Sequence, residues 1–456
     1  MTTNANKADR MQIALSECAN LCFEVLENNN FEAWAVGGCV RDAIVGRESA
    51  DIDITTNATP DQVKQIFSET DAHIIETGLK HGTVTVALNG QTCEVTTYRT
   101  DGKYTDSRHP ESVEFVLSLE EDLKRRDFTM NAICWNPKSG LYDPLNGRSD
   151  IASGIIRAIG APKKRFEEDA LRMLRAARFV SQFGFKIEDE TWRAIQKTKA
   201  KLIFISNERI TSEINKLLAG EFVLDSLINC ADIIEVAIPE ITACRGFDQH
   251  TKFHAYDVWE HIAHVVHHVD NTQLLRWTAL FHDIGKPSTF FVDDNGQGHF
   301  YGHADQGVKI AHLALARYNI HERIKPRIEM LILRHNDTLS PTEKSIRNTI
   351  ALMDGDVDLF RQLLALKRAD SLGHAPGYTA QKSVYDEIEN VLDQMIEDGI
   401  VFRINDMNLS GDDLIPIGVK PGKKIGELLN QALHGITIRE VNNDRTQLLD
   451  YIKRFI

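Results

Sequence analysis

The chain has 456 residues, of which 42% are apolar, so we expect several domains rather than one hydrophobic core. Its net charge of −14 excludes indiscriminate binding to nucleic acid, and any such surface is expected to be a local patch of Lys and Arg. No stretch approaches the roughly 18 apolar residues of a membrane helix, and the start of the chain is polar, so we expect a cytoplasmic protein with no membrane partner. The seven cysteines form no CxxC pairs, so we expect neither a disulfide nor a zinc site.

The first region combines helical and strand patterns. Residues 11–28 carry apolar residues at helical spacing. A helix is also expected after Thr59-Pro60. Short β-prone runs are found at residues 34–36, 51–55, 83–88 and 92–98. These patterns predict a small mixed sheet with helices, a head at residues 1–153.

Helical periodicity dominates the rest of the chain. From about residue 155 the strand signals vanish, which predicts an all-helical region, the neck, at residues 154–245. Twelve of the seventeen histidines then fall between His250 and His335, which indicates a region of different chemistry at residues 246–375. A helical tail is expected at residues 376–456. The predicted fold class is α+β.

An acidic pair occupies the second strand of the head. Asp51-Ile52-Asp53-Ile54 alternates acidic and apolar residues, so a strand here directs both carboxylates to one face. Two close carboxylates repel each other, and hard divalent cations relieve that repulsion. This pattern favours the paired metals of phosphoryl transfer, while an exposed acidic strand face is the alternative. Glu94, in the run CEVTTYR, is a candidate third carboxylate or simply a surface acid.

A glycine turn precedes this strand. Gly37 and Gly38 follow a strand and begin a helix that carries Arg41. Glycines let backbone amides approach an anion, and the arginine adds positive charge. The pattern is typical of a triphosphate cradle, although a glycine pair alone is more often structural.

Three segments together resemble a known family. GGCVRDAIVGRESADIDITT at residues 37–56, RRDFTMNA at 125–132 and EEDALRMLRAARF at 167–179 match, in order and spacing, the class II tRNA nucleotidyltransferases and bacterial poly(A) polymerases. The resemblance implies a polymerase-β-like head in which Asp51 and Asp53 hold two Mg²⁺ ions. It further implies contacts to the ribose and phosphates of the nucleotide, which we assign to Gly37, Gly38, Arg41, Arg126, Asp127 and Asn131.

The third segment suggests how cytosine and adenine are selected. Asp169 and Arg172 are three apart, which on a single helix places both on one face. Cytosine and adenine each offer an amine beside an unprotonated ring nitrogen, which an acceptor next to a donor can pair. Uracil and guanine would leave buried groups unpaired. Glu168 is expected to orient Arg172, and in the resembled family this motif is the amino-acid template; a solvated ion pair is the alternative.

Two polar segments also resemble family features. Residues 100–110 (TDGKYTDSRHP) resemble the flexible loop of CCA-adding and CC-adding enzymes, which disfavours an enzyme that adds only the terminal A. Residues 143–150 (DPLNGRSD) resemble the hinge motif between head and neck, and are also an ordinary turn.

The histidine-rich region fits the H…HD…D order of HD-domain phosphohydrolases. Imidazole and carboxylate together suit a divalent or transition metal, whose identity stays open. His303 and His335 are candidates for a second metal site. The expected ligands are His261, His282, Asp283 and Asp370.

Several functions remain open at this stage. We expect addition of CCA to tRNA from CTP and ATP, with no obligate protein partner implied. A CC-adding enzyme and a poly(A) polymerase are the nearest alternatives, followed by an HD phosphohydrolase acting on RNA ends and, last, a pure binding module. Candidate RNA contacts are Lys163, Lys164, Arg165, Arg175 and Arg178 near the neck, and Lys420, Lys423 and Lys424 in the tail.

Overall fold

A computed structural model of the chain describes residues 12–48, 51–101, 113–250, 256–374 and 382–456. It divides into two compact units, Met1–Ala237 and Ile238–Ile456. Within the described ranges, no helix combines the length and apolar character needed to cross a bilayer. The four domain boundaries expected from the sequence stay a prediction.

The first unit is built on a mixed seven-stranded sheet with strand order β3-β4-β5-β2-β1-β8-β9. The strands of this unit are β1 (Trp34–Val36), β2 (Asp53–Thr56), β3 (His73–Gly78), β4 (Thr83–Leu88), β5 (Gln91–Thr97), β6 (Arg99–Asp101), β7 (Val113–Phe115), β8 (Cys134–Asn136), β9 (Gly140–Tyr142), β10 (Ile155–Ile156) and β11 (Lys186–Ile187). Strands β2 and β5 run parallel, whereas β1 pairs antiparallel with both β2 and β8. Strands β6 and β7 form a separate antiparallel ladder.

Five helices accompany the sheet: α1 (Glu17–Asn28), α2 (Gly38–Ile44), α3 (Pro60–Phe67), α4 (Leu119–Lys124) and α5 (Gly147–Ser153). Helix α1 begins after Ser16, whose side chain accepts a hydrogen bond from the Ala19 amide, and it buries Cys18, Cys22 and Leu26. Helix α3 begins at the predicted Thr59-Pro60 step with a capping box. The predicted α+β head is therefore confirmed.

The remainder of this unit is helical: α6 (Pro162–Glu168), α7 (Leu171–Phe183), α8 (Asp189–Thr198), α9 (Asn207–Leu218), α10 (Val223–Asn229) and α11 (Ala231–Ala237). Helix α7 is buried along most of its length and packs against α9, α10 and α11. Strands β10 and β11 form a small parallel ladder, a feature that helical periodicity does not reveal.

The second unit is helical as well: α12 (Val258–His268), α13 (Gln273–Phe281), α14 (Lys286–Thr289), α15 (His303–Arg317), α16 (Lys325–Arg334), α17 (Glu343–Ala351), α18 (Val357–Leu372), α19 (Lys382–Glu397), α20 (Gly411–Leu414), α21 (Lys423–Thr437) and α22 (Arg445–Ile452). Helices α12, α13 and α18 pack together. One hairpin interrupts the helices, formed by β12 (Phe291–Val292) and β13 (Gly298–His299).

Candidate functional site

The predicted acidic strand presents its carboxylates outward. Ile52 and Ile54 are buried, whereas Asp51 and Asp53 are exposed. Asp53 lies opposite Glu94 in the parallel register of β2 and β5, and Glu94 is also exposed. Surrounding protein and the Glu94 carboxylate raise the pKa of Asp53 although its side chain reaches solvent. Carboxylates gathered in this way fit a divalent cation, because the cation removes their mutual repulsion.

The glycine turn lies beside this strand. Gly37 has φ +83°, a conformation that favours glycine, and a Cβ atom there would lie 3.5 Å from Nη1 of Arg126. Arg41 donates to Oδ1 of Asn131 over 2.7 Å, and the Asn131 amide donates to Asp127 over 2.9 Å. The turn and the RRDFTMNA segment, which are 90 residues apart, thus form one network.

A cleft of about 520 Å³ joins these groups to the helices that follow the sheet. Eight of the nine residues expected from the sequence to bind the nucleotide line it: Gly37, Gly38, Arg41, Arg126, Asp127, Asn131, Asp169 and Arg172. Of the predicted metal ligands of the head, Asp53 lines the cleft, whereas Asp51 and Glu94 are not among its lining residues, and neither is Glu168. It also holds lining residues that the sequence motifs did not assign to the nucleotide: Arg125, Leu171, Arg175, Arg178, Arg209 and Lys216. Guanidinium groups dominate this lining, so a chain with net negative charge provides a strongly cationic cleft.

The predicted helix through Asp169 and Arg172 is wrong. Helix α6 ends at Glu168, Asp169 has extended backbone (φ −142°, ψ 105°), and α7 starts at Leu171. Oδ1 of Asp169 accepts a hydrogen bond from the Leu171 amide over 3.1 Å. Such a local side-chain bond competes with the helical pattern and accounts for the break. Both Asp169 and Arg172 nevertheless line the cleft.

Both members of this pair are held by further side chains. Glu168 accepts from Nη1 of Arg172 over 3.0 Å, as expected, and the second guanidinium nitrogen of Arg172 donates to the Arg125 carbonyl over 2.9 Å. Asp169 accepts two bonds from Arg209 in α9, over 2.7 and 3.3 Å. No local sequence pattern indicates Arg209, because it lies 40 residues from its partner Asp169.

The candidate RNA-binding residues of the neck fall into two groups. Lys163 and Lys164 are exposed. Arg175 pairs with Asp127 over 2.7 Å, and Arg178 is 6% exposed and pairs with Glu213 over 3.0 Å. Arg175 and Arg178 line the cleft of about 520 Å³, whereas Lys163 and Lys164 are not among its lining residues.

Arg165 belongs to neither group. It is half-buried and pairs over 2.6 Å with Glu168, the carboxylate that also pairs with Arg172. Lys420, Lys423 and Lys424 in the second unit are exposed. The RNA role of these residues stays a prediction.

A buried carboxylate positions two of the cleft arginines. Asp122 is fully buried and pairs with Arg125 over 2.8 Å and with Arg126 over 3.2 Å. Burial raises the pKa of Asp122, but the Arg126 and Arg125 guanidiniums outweigh burial and hold it below its ordinary value. Asp122 precedes Arg125 by three residues and Arg126 by four, a spacing that indicates ion pairs on a helix. The burial of Asp122 is visible only in the fold.

Asp127 is held in its charged form in a similar way. Burial raises its pKa, yet the Arg175 guanidinium and the Asn131 amide outweigh burial and lower the pKa of Asp127 below its ordinary value. An ionised carboxylate in the cleft wall can accept hydrogen bonds from hydroxyl groups.

Two further family-like segments have different outcomes. Asp143 accepts hydrogen bonds from the Gly147 and Arg148 amides, so a turn precedes α5 and residues 147–150 are the first residues of that helix. The hinge role of this segment stays a prediction. The loop at residues 100–110 lies outside the described residues from position 102 onward.

The second unit brings the predicted HD residues together. Nε2 of His261 lies 3.0 Å from Asp370 and 3.2 Å from Asp283, and Nε2 of His282 lies 3.3 Å from Asp283. The ligand atoms of these four residues all lie within 4.8 Å of one another. Asp283, His303 and His335 form a second such group, with both imidazoles 3.5 Å from Oδ1 of Asp283.

The imidazoles are oriented by backbone carbonyls. Nδ1 of His261, His282, His303 and His335 lies within 3.1 Å of the carbonyl of Gly373, Ala279, Phe300 and Ile332, respectively. A carbonyl only accepts, so each Nδ1 carries a hydrogen and each Nε2 faces the carboxylates, where its lone pair becomes available to a metal once the Nε2 proton is lost. Burial lowers the pKa of His282, but the neighbouring Asp283 raises it to about 10. The cluster is thus suited to bind a divalent cation.

Comparison with known proteins agrees with this arrangement. Family models match three stretches: the poly A polymerase head domain at residues 33–157, a probable RNA and SrmB-binding site of polymerase A at residues 184–243, and the HD domain at residues 252–373. These stretches contain the carboxylate strand, helices α8 to α11 and the histidine cluster, while α6 and α7 lie between the first two of them.

Complete proteins are similar as well. The chain is 51% identical over 207 residues to the CCA-adding enzyme of Geobacillus kaustophilus (strain HTA426), covering 45% of this chain and 50% of that enzyme. It is 31% identical over 451 residues to the CCA-adding enzyme of Staphylococcus aureus (strain MRSA252), covering 98% of this chain and 100% of that enzyme.

A solved structure extends the similarity to the fold. The crystal structure of the Bacillus stearothermophilus CCA-adding enzyme in complex with CTP matches with a TM-score of 0.69 and 28% sequence identity, covering 96% of each chain. With the S. aureus enzyme aligned from end to end and the cleft residues in place, the chain belongs to the family of CCA-adding enzymes.

Proposed function

We propose that the protein adds C and A nucleotides to the 3′ end of tRNA, using CTP and ATP. One observation carries the proposal: a single cleft brings together the carboxylate strand, the glycine turn, a cationic lining and the Asp169–Arg172 pair. Each of these features has a separate role in transferring a nucleotide and choosing its base.

In this proposal Asp51 and Asp53, assisted by Glu94, hold two Mg²⁺ ions. Oxygen ligands suit this hard cation. When bound, the ions lower the pKa of the attacking hydroxyl and neutralise charge on the triphosphate. Besides burial, the Glu94 carboxylate raises the pKa of Asp53, and a bound cation would relieve this repulsion.

The triphosphate is held by the chain's own cationic groups. The backbone at Gly37 and Gly38 approaches the phosphates, and Arg41, Arg126 and Arg175 supply charge to them. Arg178 belongs with this group rather than with RNA. Asp127 accepts from the ribose hydroxyls, and Asn131 fixes its orientation, which favours a ribonucleotide.

The base is read by Asp169 and Arg172. The acceptor and donor pair with the amine and ring nitrogen of cytosine or adenine, whereas uracil and guanine leave buried groups unpaired at a cost of about 1–3 kcal/mol each. Glu168 orients Arg172, and Arg209 fixes the carboxylate plane of Asp169. Arg209 is therefore a positioning residue.

RNA contact involves the neck. Lys163, Lys164 and Arg165 are candidates for this contact. The exposed Lys420, which precedes α21, and Lys423 and Lys424 at the start of α21 are further candidates. Head, neck, HD domain and tail with the boundaries given above stay the proposed division, and the cytoplasmic location stays a prediction.

The decisive experiment incubates the purified chain with tRNA that ends at the discriminator base and sequences the products formed with single nucleotides and mixtures. A CCA end supports the proposal. A CC end or an A tail would replace it with CC addition or polyadenylation.

The second unit supports a second activity, hydrolysis of phosphate esters at RNA ends. The observation that favours it is the buried cluster with the imidazole Nε2 atoms turned inward. His261, His282, Asp283 and Asp370 would hold a divalent metal, with His303 and His335 beside it. A metal bound there would make a water nucleophilic. Loss of phosphate release in Asp283→Ala, with nucleotide addition retained, tests this assignment.

A further inference from the structure

Three aromatic rings form a stack beside the HD cluster, and two of them line its cavity. Phe291 stacks on His299 at 5.2 Å, His299 stacks on Tyr301 at 5.4 Å with ring planes 17° apart, and Phe291 lies 5.7 Å from Tyr301. Tyr301 is 74% exposed and Phe291 is 45% exposed. Burying aromatic rings is favourable, so an exposed stack at this position indicates a surface that binds a ligand.

The hairpin holds this stack rigidly. Phe291 lies directly opposite His299 in the antiparallel register of β12 and β13. Asp293 accepts hydrogen bonds from the amides of Asn295 and Gln297 in the turn, and its second oxygen lies 2.9 Å from Nε2 of His299. The orientation of the His299 ring, and with it that of the stack, is therefore fixed by the turn.

The stack and the metal ligands share one cavity. A cleft of about 330 Å³ is lined by His299 and Tyr301 as well as by Asp283, His303 and His335. Tyr301 precedes His303 by two residues, so their Cα atoms are at most about 7 Å apart. In a nucleotide, the ribose separates the base from the phosphate by a similar distance, so a base on Tyr301 would place the phosphate near His303.

We propose that the Phe291, His299 and Tyr301 rings form a base-stacking platform, so that the HD centre takes a nucleoside phosphate with an unpaired base. Stacking uses the π face that every base has, and it needs an exposed ring of the kind that Tyr301 provides. The phosphate then lies beside Asp283 and Lys286. This inference rests on the proposed phosphohydrolase activity and names its substrate class.

Hydrolysis is measured with adenosine 3′-monophosphate, an oligoribonucleotide ending in a 3′-phosphate, and glycerol 2-phosphate. Tyr301→Ala should lower kcat/KM for the first two substrates roughly five- to 150-fold and leave glycerol 2-phosphate unchanged. Tyr301→Phe should retain wild-type values because the ring remains. Leu313→Ala removes a side chain that is 67% exposed on α15, and is the matched control. The two nucleotide substrates distinguish a free nucleotide from an RNA end.

Binding is read separately from turnover. Full-length protein stripped of metal is photolabelled with 8-azidoadenosine 3′-monophosphate, and labelled peptides are mapped. Label on residues 291–301 that Tyr301→Ala removes and Leu313→Ala retains supports the platform. Equal labelling of Tyr301→Ala, or equal kcat/KM for all substrates in both proteins, overturns it. Absence of hydrolysis of every substrate would instead refute the phosphohydrolase activity, and the labelling still decides the platform.

Discussion

The two candidate sites present their ligands in opposite ways. In the head, Asp51, Asp53 and Glu94 are exposed at the neighbouring central strands β2 and β5. The arginines of the cleft beside them are held in ion pairs. In the HD cluster, His261, His282 and Asp283 are at most 2% exposed. Among the described residues, only clusters in the second unit bring three or more such ligand atoms within 4.8 Å of one another. We therefore expect the head to gather its cations together with the nucleotide, and the HD cluster to retain a cation of its own.

The strongest test of this difference between the two sites is to remove each activity by a separate mutation. Asp51→Ala should lower nucleotide addition about a thousand-fold or more, because metal ligation supplies several kcal/mol of transition-state stabilisation, and should leave phosphate release intact. Asp283→Ala should do the reverse. Both rates are measured on the same tRNA preparation. A variant that loses both activities while still folded would contradict the division into two independent sites.

The ordered arginines of the head depend on a buried anion. Asp122→Asn should lower the free energy of unfolding by about 3 kcal/mol, because it leaves Arg125 and Arg126 without their buried partner. The contribution of the lowered Asp122 pKa is complete above about pH 4 and is lost as the pH falls through that pKa, so the difference should shrink in acid. Urea unfolding between pH 3 and 7 measures it.

The control for this experiment is Asp61→Asn. Asp61 pairs with Lys64, but its side chain is 90% exposed, so its loss should leave the unfolding free energy unchanged. An Asp122→Asn protein with wild-type stability, or a difference independent of pH, would show that the arginines need no buried carboxylate.

Metal addition sharpens the contrast between open and buried ligands. A divalent cation added at 100 times its dissociation constant should stabilise the HD cluster by about 2.7 kcal/mol. Scanning calorimetry of the metal-stripped chain with Mn²⁺ should show a higher unfolding temperature. The increase should persist in Asp53→Asn and disappear in Asp283→Asn. If Asp53→Asn removes it instead, the head rather than the HD cluster retains the cation.

The smallest expected effect concerns base selection. Arg209→Ala should raise incorporation of U and G relative to C and A about tenfold, since Asp169 loses two of its hydrogen bonds. Arg209→Lys should restore part of the selectivity, and Arg172→Ala should relax it further. Arg193→Ala removes an exposed arginine of α8 and serves as control. Unchanged product ratios with a lower rate would indicate that Arg209 is only structural.

The sequence predicted features that are local and periodic. Alternation in Asp51-Ile52-Asp53-Ile54 indicated which side chains face outward, and the Thr59-Pro60 step marked the start of α3. The motif order placed the glycine turn and Asp127 at one site, because a family resemblance carries information about distant segments. These predictions needed no knowledge of packing.

Other features depend on contacts between distant segments. Arg209 meets Asp169 only because the neck helices pack together, and the burial of Asp122 depends on its position on the face of α4 that meets Thr55 of β2. The helix break at Asp169 was missed because a single hydrogen bond to the Leu171 amide outweighs the helical spacing of EEDALRMLR. The hairpin at Phe291 is too short to show a strand period.

The helix break at Asp169 also sets the distance between the two side chains that we propose to read the base. Asp169 terminates α6, whereas Arg172 is carried by α7, so the separation of acceptor and donor follows from the backbone dihedrals of a short link. On an uninterrupted helix this separation would be fixed by the pitch. Because the Leu171 amide, Glu168 and Arg209 hold the two side chains, the link presents them as a preformed pair.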